Sequence, residues 1–239
     1  MRRLARQILP RRLRRPALVS LTFDDGTADH LSAGRLLAEH GLAGTFFVNS
    51  SRVGTGIGTL AWEGVAELAR AGHEIGGHTA DHVDLSSLTE AEAWAQVAED
   101  RRVLLERGYA ATSFAYPYGS VDTAARDVVS AAGYSSARRA WGLAAAGDSM
   151  RPATEPIPPA EPYAIRTVPS LETGTTVDDL QRLVSRAEAT GGWLPLVFHG
   201  LVGEGRYHID EAVFSEFVGW LAGRSHVRVS TFAEVVERR

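Results

Sequence analysis

Two aspartates stand side by side where an apolar run ends: Leu18, Val19, Leu21 and Phe23 lead into Asp24 and Asp25. Adjacent carboxylates at the mouth of a buried strand repel, and each disfavours ionisation of the other. A divalent cation beside them removes that cost, because it neutralises one acid and screens the second. The chain offers further ligands for such a cation. The segment HTADH places His78 and His82 four residues apart, a spacing that lets both imidazoles reach one ion from a helix face or a tight loop. Two histidines and one carboxylate are a frequent three-ligand set for a catalytic zinc that keeps positions open for water. The two aspartates can then divide the work, one on the metal and one taking a proton from the activated water. The chain has no cysteine, which excludes disulfides and thiolate metal sites. Any metal must therefore be held by His, Asp or Glu.

These residues need a scaffold that gathers distant segments. Short apolar runs alternate with amphipathic stretches along the whole chain. The pattern predicts strands over 18–23, 43–49, 73–78, 112–119, 134–138, 163–168, 194–199 and 226–229. It predicts helices over 29–40, 62–72, 88–108, 122–132, 176–190, 210–222 and 231–237. Thr89 with Glu92 reads as a capping box at the start of the longest helix. Residues 142–162 contain Pro152, Pro156, Pro158, Pro159 and Pro162 and read as an extended surface loop. Strand–helix alternation at this length predicts an α/β fold, a parallel sheet covered by helices that either closes as a barrel or stays open. A barrel gathers its active site at the C-terminal ends of its strands. Asp24 and Asp25 end the first predicted strand, His78 and His82 follow the third, Tyr118 ends the fourth, and His199 ends the strand in LPLVFH. All would face one rim.

At 239 residues with 44% apolar side chains, one domain with a sizeable core is expected. Residues 1–16 hold seven arginines and no acid; setting them aside takes the formal charge from −4 to −11. An acidic body argues against nucleic acid as a partner, and the expected organisation is a solvated basic tail, 1–16, before a catalytic domain, 17–239. The run LARQILP is too short and too polar for the apolar part of an export signal. No segment reaches the roughly 18 apolar residues of a membrane span. The expectation is a soluble, cytoplasmic protein without stable membrane insertion.

The series TFDDG, HTADH, PYG and LVFH, in this order, resembles the motif series of the polysaccharide deacetylases, the chitooligosaccharide-deacetylase homology domain of carbohydrate esterase family four. The resemblance spans about residues 17 to 237. It implies a single-domain distorted (β/α) barrel of parallel strands with outer helices, and metal-dependent hydrolysis of an amide. It implies Asp24 as general base and Asp25, His78 and His82 as ligands of a divalent metal, usually zinc, with cobalt or nickel accepted. It implies the backbone N–H of Tyr118 as a donor to the oxyanion, His199 as the general acid that protonates the leaving amine, and Thr79 as support for the histidine loop. These residue types suit the chemistry. An acetamide carbonyl is a poor electrophile that needs polarising, its tetrahedral adduct carries an oxyanion that needs donors, and an amine leaves only when protonated. The implied substrate is an acetamido sugar or carbohydrate; the missing export signal points to an intracellular oligosaccharide, glycolipid or amino-sugar precursor. The competing readings are a deformylase or amidase acting on a non-sugar through the same site, and a homologue that binds carbohydrate without turnover.

The chain also departs from that series. Many members carry an arginine two residues before the proline of the third motif, where it orients the catalytic aspartate; Ala115 stands there. The fourth motif, an Asp-Trp pair that supports the acid histidine, is not recognisable. Arg138 or Arg139, at the end of the fifth predicted strand, could supply the guanidinium, while none of Asp148, Glu155 and Glu161 stands out as the carboxylate behind His199. Substrate contacts are expected from Tyr116, Arg139, Trp141 and His208, with Arg206, Tyr207 and Trp62 as further candidates. His30, His40, His73 and His226 are expected to be structural or superficial.

Overall fold

Parallel strands buried on both faces need helices on one side and a filled interior on the other, and the chain supplies both. The computed structural model describes residues 16–56, 58–148, 150–202 and 205–238; the expected basic tail, apart from Pro16, lies outside the described residues. The elements follow in the order β1 (Ala17–Phe23), α1 (His30–Glu39), β2 (Thr45–Val48), α2 (Trp62–Arg70), β3 (Glu74–Gly77), α3 (Glu90–Glu106), β4 (Ser113–Ala115), α4 (Thr123–Ala131), β5 (Ser136–Gly142), β6 (Ile165–Thr167), α5 (Val177–Thr190), β7 (Trp193–Phe198), α6 (Glu211–Ala222), β8 (Val227–Val229) and α7 (Phe232–Val236). The sheet runs β6-β5-β4-β3-β2-β1-β7, with every pairing parallel. β8 shares one edge of β1 with β2: it pairs with Ala17–Val19, and β2 takes Thr22 and Phe23. Between β6 and β7 the wall is drawn together by the segment after β6, where Val168 N–H donates to Pro195 O (3.2 Å) and Leu171 N–H to Val197 O (3.0 Å). The result is the nearly closed, distorted (β/α) barrel that the resemblance implies.

Strand alternation sorts the side chains into two cores. Val19, Leu21, Phe23, Phe46, Phe114 and Phe198 belong to the larger cluster, packed under the helices. Leu18, Phe47, Ala115, Ile165 and Trp193 form the smaller, inner cluster with Phe232 and Val235 of α7, which close the bottom of the barrel. Two buried hydroxyls on the inner face are satisfied locally: Ser20 donates to Ser230 O (2.8 Å) and accepts from Trp193 Nε1 (2.9 Å), and Thr22 donates to Leu196 O (2.8 Å).

Two strands end about four residues from their predicted C-terminal bounds, the others within about two. β4 stops at Ala115 because Pro117 cannot donate to a ladder; a 3-10 turn, Pro117–Gly119, follows instead. β5 runs on to Gly142, because β6 pairs with it at Arg138 and again at Gly142. The proline-rich segment is tied down rather than simply superficial: Glu155 exchanges backbone bonds with Trp193 (2.7 and 2.8 Å), and its buried carboxylate pairs with Arg166 (2.6 Å). The Thr89–Glu92 capping box forms as expected.

β3 can lie where it does only as glycine. A Cβ on Gly77 would fall 2.0 Å from Tyr134 Oη and 2.5 Å from Asp100 Oδ2. Overpacking of this kind costs about 1–3 kcal/mol, so Gly77→Ala is expected to lower the free energy of urea unfolding by that amount. A change below about 0.5 kcal/mol would show that Tyr134 and Asp100 move aside freely.

Candidate active site

The polar rim forms where the strands end and the backbone turns sharply. Among the described residues, five non-glycine residues have positive φ: Asp25 (77°), Thr79 (63°), His82 (59°), Tyr118 (57°) and Ala111 (45°). Four of the five lie at this rim. Such conformations cluster where surrounding structure holds side chains for a function.

Asp25 Oδ1 lies 3.0 Å from His82 Nε2 and 3.4 Å from His78 Nε2, and the three ligand atoms are all within 4.8 Å of one another. His78 Nδ1 lies 2.7 Å from Ala115 O. A carbonyl only accepts, so Nδ1 carries the hydrogen, and whenever the ring is neutral its lone pair lies at Nε2. That lone pair faces a carboxylate oxygen that is buried and lacks a hydrogen-bond partner among the described residues. Two acceptors held face to face demand a positive charge between them. The titration tendencies agree. Burial works to raise the Asp25 pKa, but His78 and His82 outweigh it and hold the carboxyl well below the usual range. Burial works to lower that of His78, but Asp24 and Asp25 outweigh it and raise it. The donor set fits a divalent cation with nitrogen and oxygen ligands.

The histidine loop is gripped from below. Asp100 of α3 accepts from His78 N–H (3.1 Å), Ser50 N–H (3.0 Å) and Tyr134 Oη (3.2 Å). Asn49, just past β2, donates to His78 O (2.5 Å) and Thr79 O (3.2 Å). Thr79 Oγ1 accepts from Val83 N–H (3.1 Å), bracing the turn between the two histidines. Neither Asp100 nor Asn49 was singled out from the sequence. For Asp100 a signal existed: the buried stripe of α3 reads Ala93, Val97, Asp100, Leu104, and a carboxylate in an apolar stripe needs buried partners.

Burial pushes the Asp100 carboxyl up to about 6, against the opposing bonds from Ser50 and Tyr134. Between its usual value and 6 the folded state holds more protons than the unfolded one, so this group lowers stability as pH rises through that window. The full effect is about 3 kcal/mol. Asp100→Asn loses one acceptor oxygen, leaving a buried donor unpaired at a cost of about 1–3 kcal/mol, but it does not titrate. The stability gap between wild type and variant, measured by urea unfolding with chelator present, is therefore expected to shrink from pH 4 to pH 7. A gap that widens with pH would mean the ionised carboxylate stabilises the fold.

Asp24 is almost fully buried, at 3% exposure. Its Oδ1 accepts from Arg138 Nη2. Burial works to raise its pKa, but Arg138, His78 and His199 outweigh it, so Asp24 is held ionised below the ordinary carboxylate range. Of the two adjacent arginines, the pleat turns Arg138 inward and Arg139 outward. Arg139 Nε donates to Ala164 O (3.3 Å), and the residue is not among those lining the cleft. His199 ends β7 and stacks on Tyr207 at 5.2 Å between ring centroids. Its Nδ1 is buried with no partner among the described residues. The three carboxylates weighed for that place are engaged elsewhere: Glu155 pairs with Arg166, Glu161 with Arg126, and Asp148 accepts from Met150 N–H. Burial lowers the His199 pKa, against the pull of Asp24 and Asp25. His30, expected to be merely structural, is buried with Nε2 donating to His199 O (2.6 Å).

Asp24, Asp25, His78, His82, Tyr118 and His199 thus line one cleft of about 350 Å³, with Tyr116, Ser170 and Tyr207. Tyr116 is buried and donates to Tyr163 O (3.0 Å). Trp141 stands on the rim, its ring against Gly119. His208 lies beside Gly200 and faces a neighbouring groove with Val202 and Asp210. Trp62, in α2, is elsewhere and stacks on Tyr109. No helix among the described residues is long and apolar enough to cross a membrane.

The family model for polysaccharide deacetylase matches residues 12–137. A peptidoglycan-N-acetylglucosamine deacetylase of Listeria monocytogenes is 32% identical over 107 residues, covering 44% of this chain and 22% of that protein. A chitin deacetylase of Arthroderma benhamiae is 42% identical over 73 residues, covering 29% of this chain and 19% of that protein. The chain therefore spans about a fifth of the length of these relatives. Among solved structures, the Xyl-CE4 domain of a multidomain xylanase from the hindgut metagenome of Trinervitermes trinervoides aligns with a TM-score of 0.61 at 18% identity, covering 93% of this chain and 90% of that one. A family 4 acetyl xylan esterase from Clostridium thermocellum, solved in complex with cobalt, aligns with a TM-score of 0.59 at 19% identity, covering 91% and 89%. At these identities the structural likeness is one of fold.

Proposed function

The chain belongs to the polysaccharide deacetylase family, and from that premise we propose that it is a metal-dependent hydrolase that removes N-acetyl groups from an acetamido sugar in a carbohydrate. One observation carries the reading: the carboxylate of Asp25 and the Nε2 atoms of two histidines converge beside a second aspartate that is kept ionised by its own cation, Arg138. Asp25, His78 and His82 would hold the divalent cation, zinc in the first place, with cobalt or nickel as alternatives. When bound, such a cation supplies Lewis acidity to an amide carbonyl oxygen and to a water.

The chain's own residues supply the rest. Asp24 takes the proton of the attacking water; its low-lying pKa keeps it ready to accept at neutral pH. The backbone N–H of Tyr118, at the sharp turn beside His82, donates to the oxygen that gains charge. His199 gives a proton to the amine nitrogen, so that the C–N bond breaks to an amine and acetate. Tyr207, stacked on His199, steadies that ring, for which no described residue offers a carboxylate partner. Tyr118, Tyr207 and Trp141 offer exposed aromatic faces around the cleft, the kind of surface on which a sugar ring packs.

The test is a substrate panel with metal-loaded protein: N-acetylglucosamine oligomers, their monomer, N-acylated amines without sugar, and N-formyl analogues. Acetate and free amine are expected in equal amounts from the acetamido sugars. Formate from the formyl analogues alone would favour the deformylase reading. No product from any acetamide, with the metal site filled, would leave a binding protein.

A further inference from the structure

We propose that Asp29 is the positioning residue for His199, clasping the segment behind the acid histidine to the loop that carries Asp24 and Asp25. The inference rests on the deacetylase reading above, in which His199 protonates the leaving amine. β1 and β7 are in register up to Phe23 and Phe198, and Asp24 N–H donates to Phe198 O (3.0 Å). The ladder between these strands ends there, and His199 is the first residue beyond it. Side chains from the start of α1 then take over. His30 Nε2 donates to His199 O (2.6 Å). Oδ2 of Asp29 accepts from Leu201 N–H (2.5 Å) and Val202 N–H (2.9 Å). Thr27 Oγ1 donates to Oδ1 (2.5 Å) and so fixes the other oxygen of the same carboxylate. Gly200 lets the segments approach, since a Cβ there would fall 2.5 Å from His208 Cδ2 and 3.3 Å from Asp29 Oδ2.

Helix capping does not account for this aspartate. Asp29 is the N-cap of α1, where an aspartate ordinarily accepts from an N–H of its own first turn, yet its side chain makes no such bond. Both oxygens serve the clasp instead, reaching chain more than 170 residues away. Burial works to raise its pKa, but the bonds from Thr27, Val202 and Leu201 outweigh it and keep the carboxyl below its ordinary range. Bonds to an ionised carboxylate are the stronger kind. What they secure is the direction of the His199 ring. Its Nδ1 has no partner among the described residues, so the ring is aimed by its backbone and by the stack on Tyr207. A proton donor must lie within hydrogen-bond reach of the nitrogen it serves. A loosened clasp would therefore impair protonation of the amine while leaving Asp24 and the metal ligands in place. An activated ester exposes the difference, because 4-nitrophenolate leaves without a proton and an amine does not.

The experiment compares Asp29→Ala, Asp29→Asn, Thr27→Val and His199→Ala with the parent, all metal-loaded and with metal content measured. Each is assayed on N-acetylglucosamine oligomers and on 4-nitrophenyl acetate. Asp29→Ala is expected to keep its metal and to lose about 100-fold in kcat on the acetamide with KM within about twofold, the scale set by misplacing a catalytic group by about 1 Å. Its ratio of ester to amide turnover is expected to rise at least about tenfold, in the same direction as in His199→Ala, where the acid is gone altogether. Asp29→Asn keeps an acceptor oxygen for Leu201 and Val202 and is expected to recover at least about fivefold over Asp29→Ala on the acetamide. Thr27→Val should raise the ratio as well, and it can be read even where Asp29→Ala fails to fold. The inference is overturned if folded Asp29→Ala keeps acetamide kcat within about threefold of the parent while His199→Ala is inactive. It is also overturned if Asp29→Ala or Thr27→Val lowers ester and amide turnover in equal proportion, which is the mark of general damage. Parental acetamide turnover in His199→Ala would instead remove the acid from the proposed reaction, and the role of Asp29 with it.

Discussion

Asp24→Asn is expected to keep its metal and to lose about 10³-fold or more in acetate release. The substitution is isosteric and leaves Asp25, His78 and His82 in place, so metal stoichiometry should match the parent. On the proposed mechanism what disappears is the group that accepts the proton, and a positioned general base contributes about 10²–10⁴-fold. A second consequence follows from the surroundings. Arg138 would be left buried with no anion, because Asp24 is its one ion-pair partner among the described residues. Removing one member of a buried pair costs about 3–5 kcal/mol, so the variant should also unfold at markedly lower urea. Inactivity with full metal occupancy and reduced stability is the expected signature. Turnover within tenfold of the parent would mean that Asp24 is not the base.

Asp25→Asn should behave differently. Asn keeps an oxygen in place but removes the charge that offsets the cation. Even outer-shell changes weaken metal sites by about 10–100-fold, so loss of a direct ligand is expected to weaken affinity by more than about 100-fold. Activity should fall together with occupancy, and excess zinc or cobalt should restore part of it. In Asp24→Asn excess metal should restore nothing. Titration of both variants with metal, followed by acetate release, separates the two aspartates. If Asp25→Asn binds metal as tightly as the parent, the ligand set is wrong.

The two adjacent acids thus stop being an electrostatic puzzle once their backbones are followed. Asp24 continues the inward parity of Ser20 and Thr22 and meets Arg138 inside the barrel. Asp25 turns at φ 77° and meets the histidine loop.

Much of this was legible in the residues themselves. The period of the apolar positions set the type and order of the elements, because a strand and a helix bury different repeats. Strand ends then placed Asp24, Asp25, His78, His82, Tyr118 and His199 on one rim, because parallel strands all end at the same face of a barrel. The capping box at Thr89 was local and was read locally. Other features needed coordinates. Arg138 and Arg139 are identical in type and adjacent, and only the pleat of β5 in its register with β4 sends one to Asp24 and the other to Ala164. Asp100 and Asn49 reach His78 across 22 and 29 residues of chain, and no short spacing announces such a contact. That His199 Nδ1 has no partner among the described residues is likewise a property of packing, since Glu155 and Glu161 pair with arginines elsewhere. Local periodicity and strand direction act along the chain and can be read there. Side-chain parity between strands, and the choice of partner for a buried charge, arise only when distant segments share one interior.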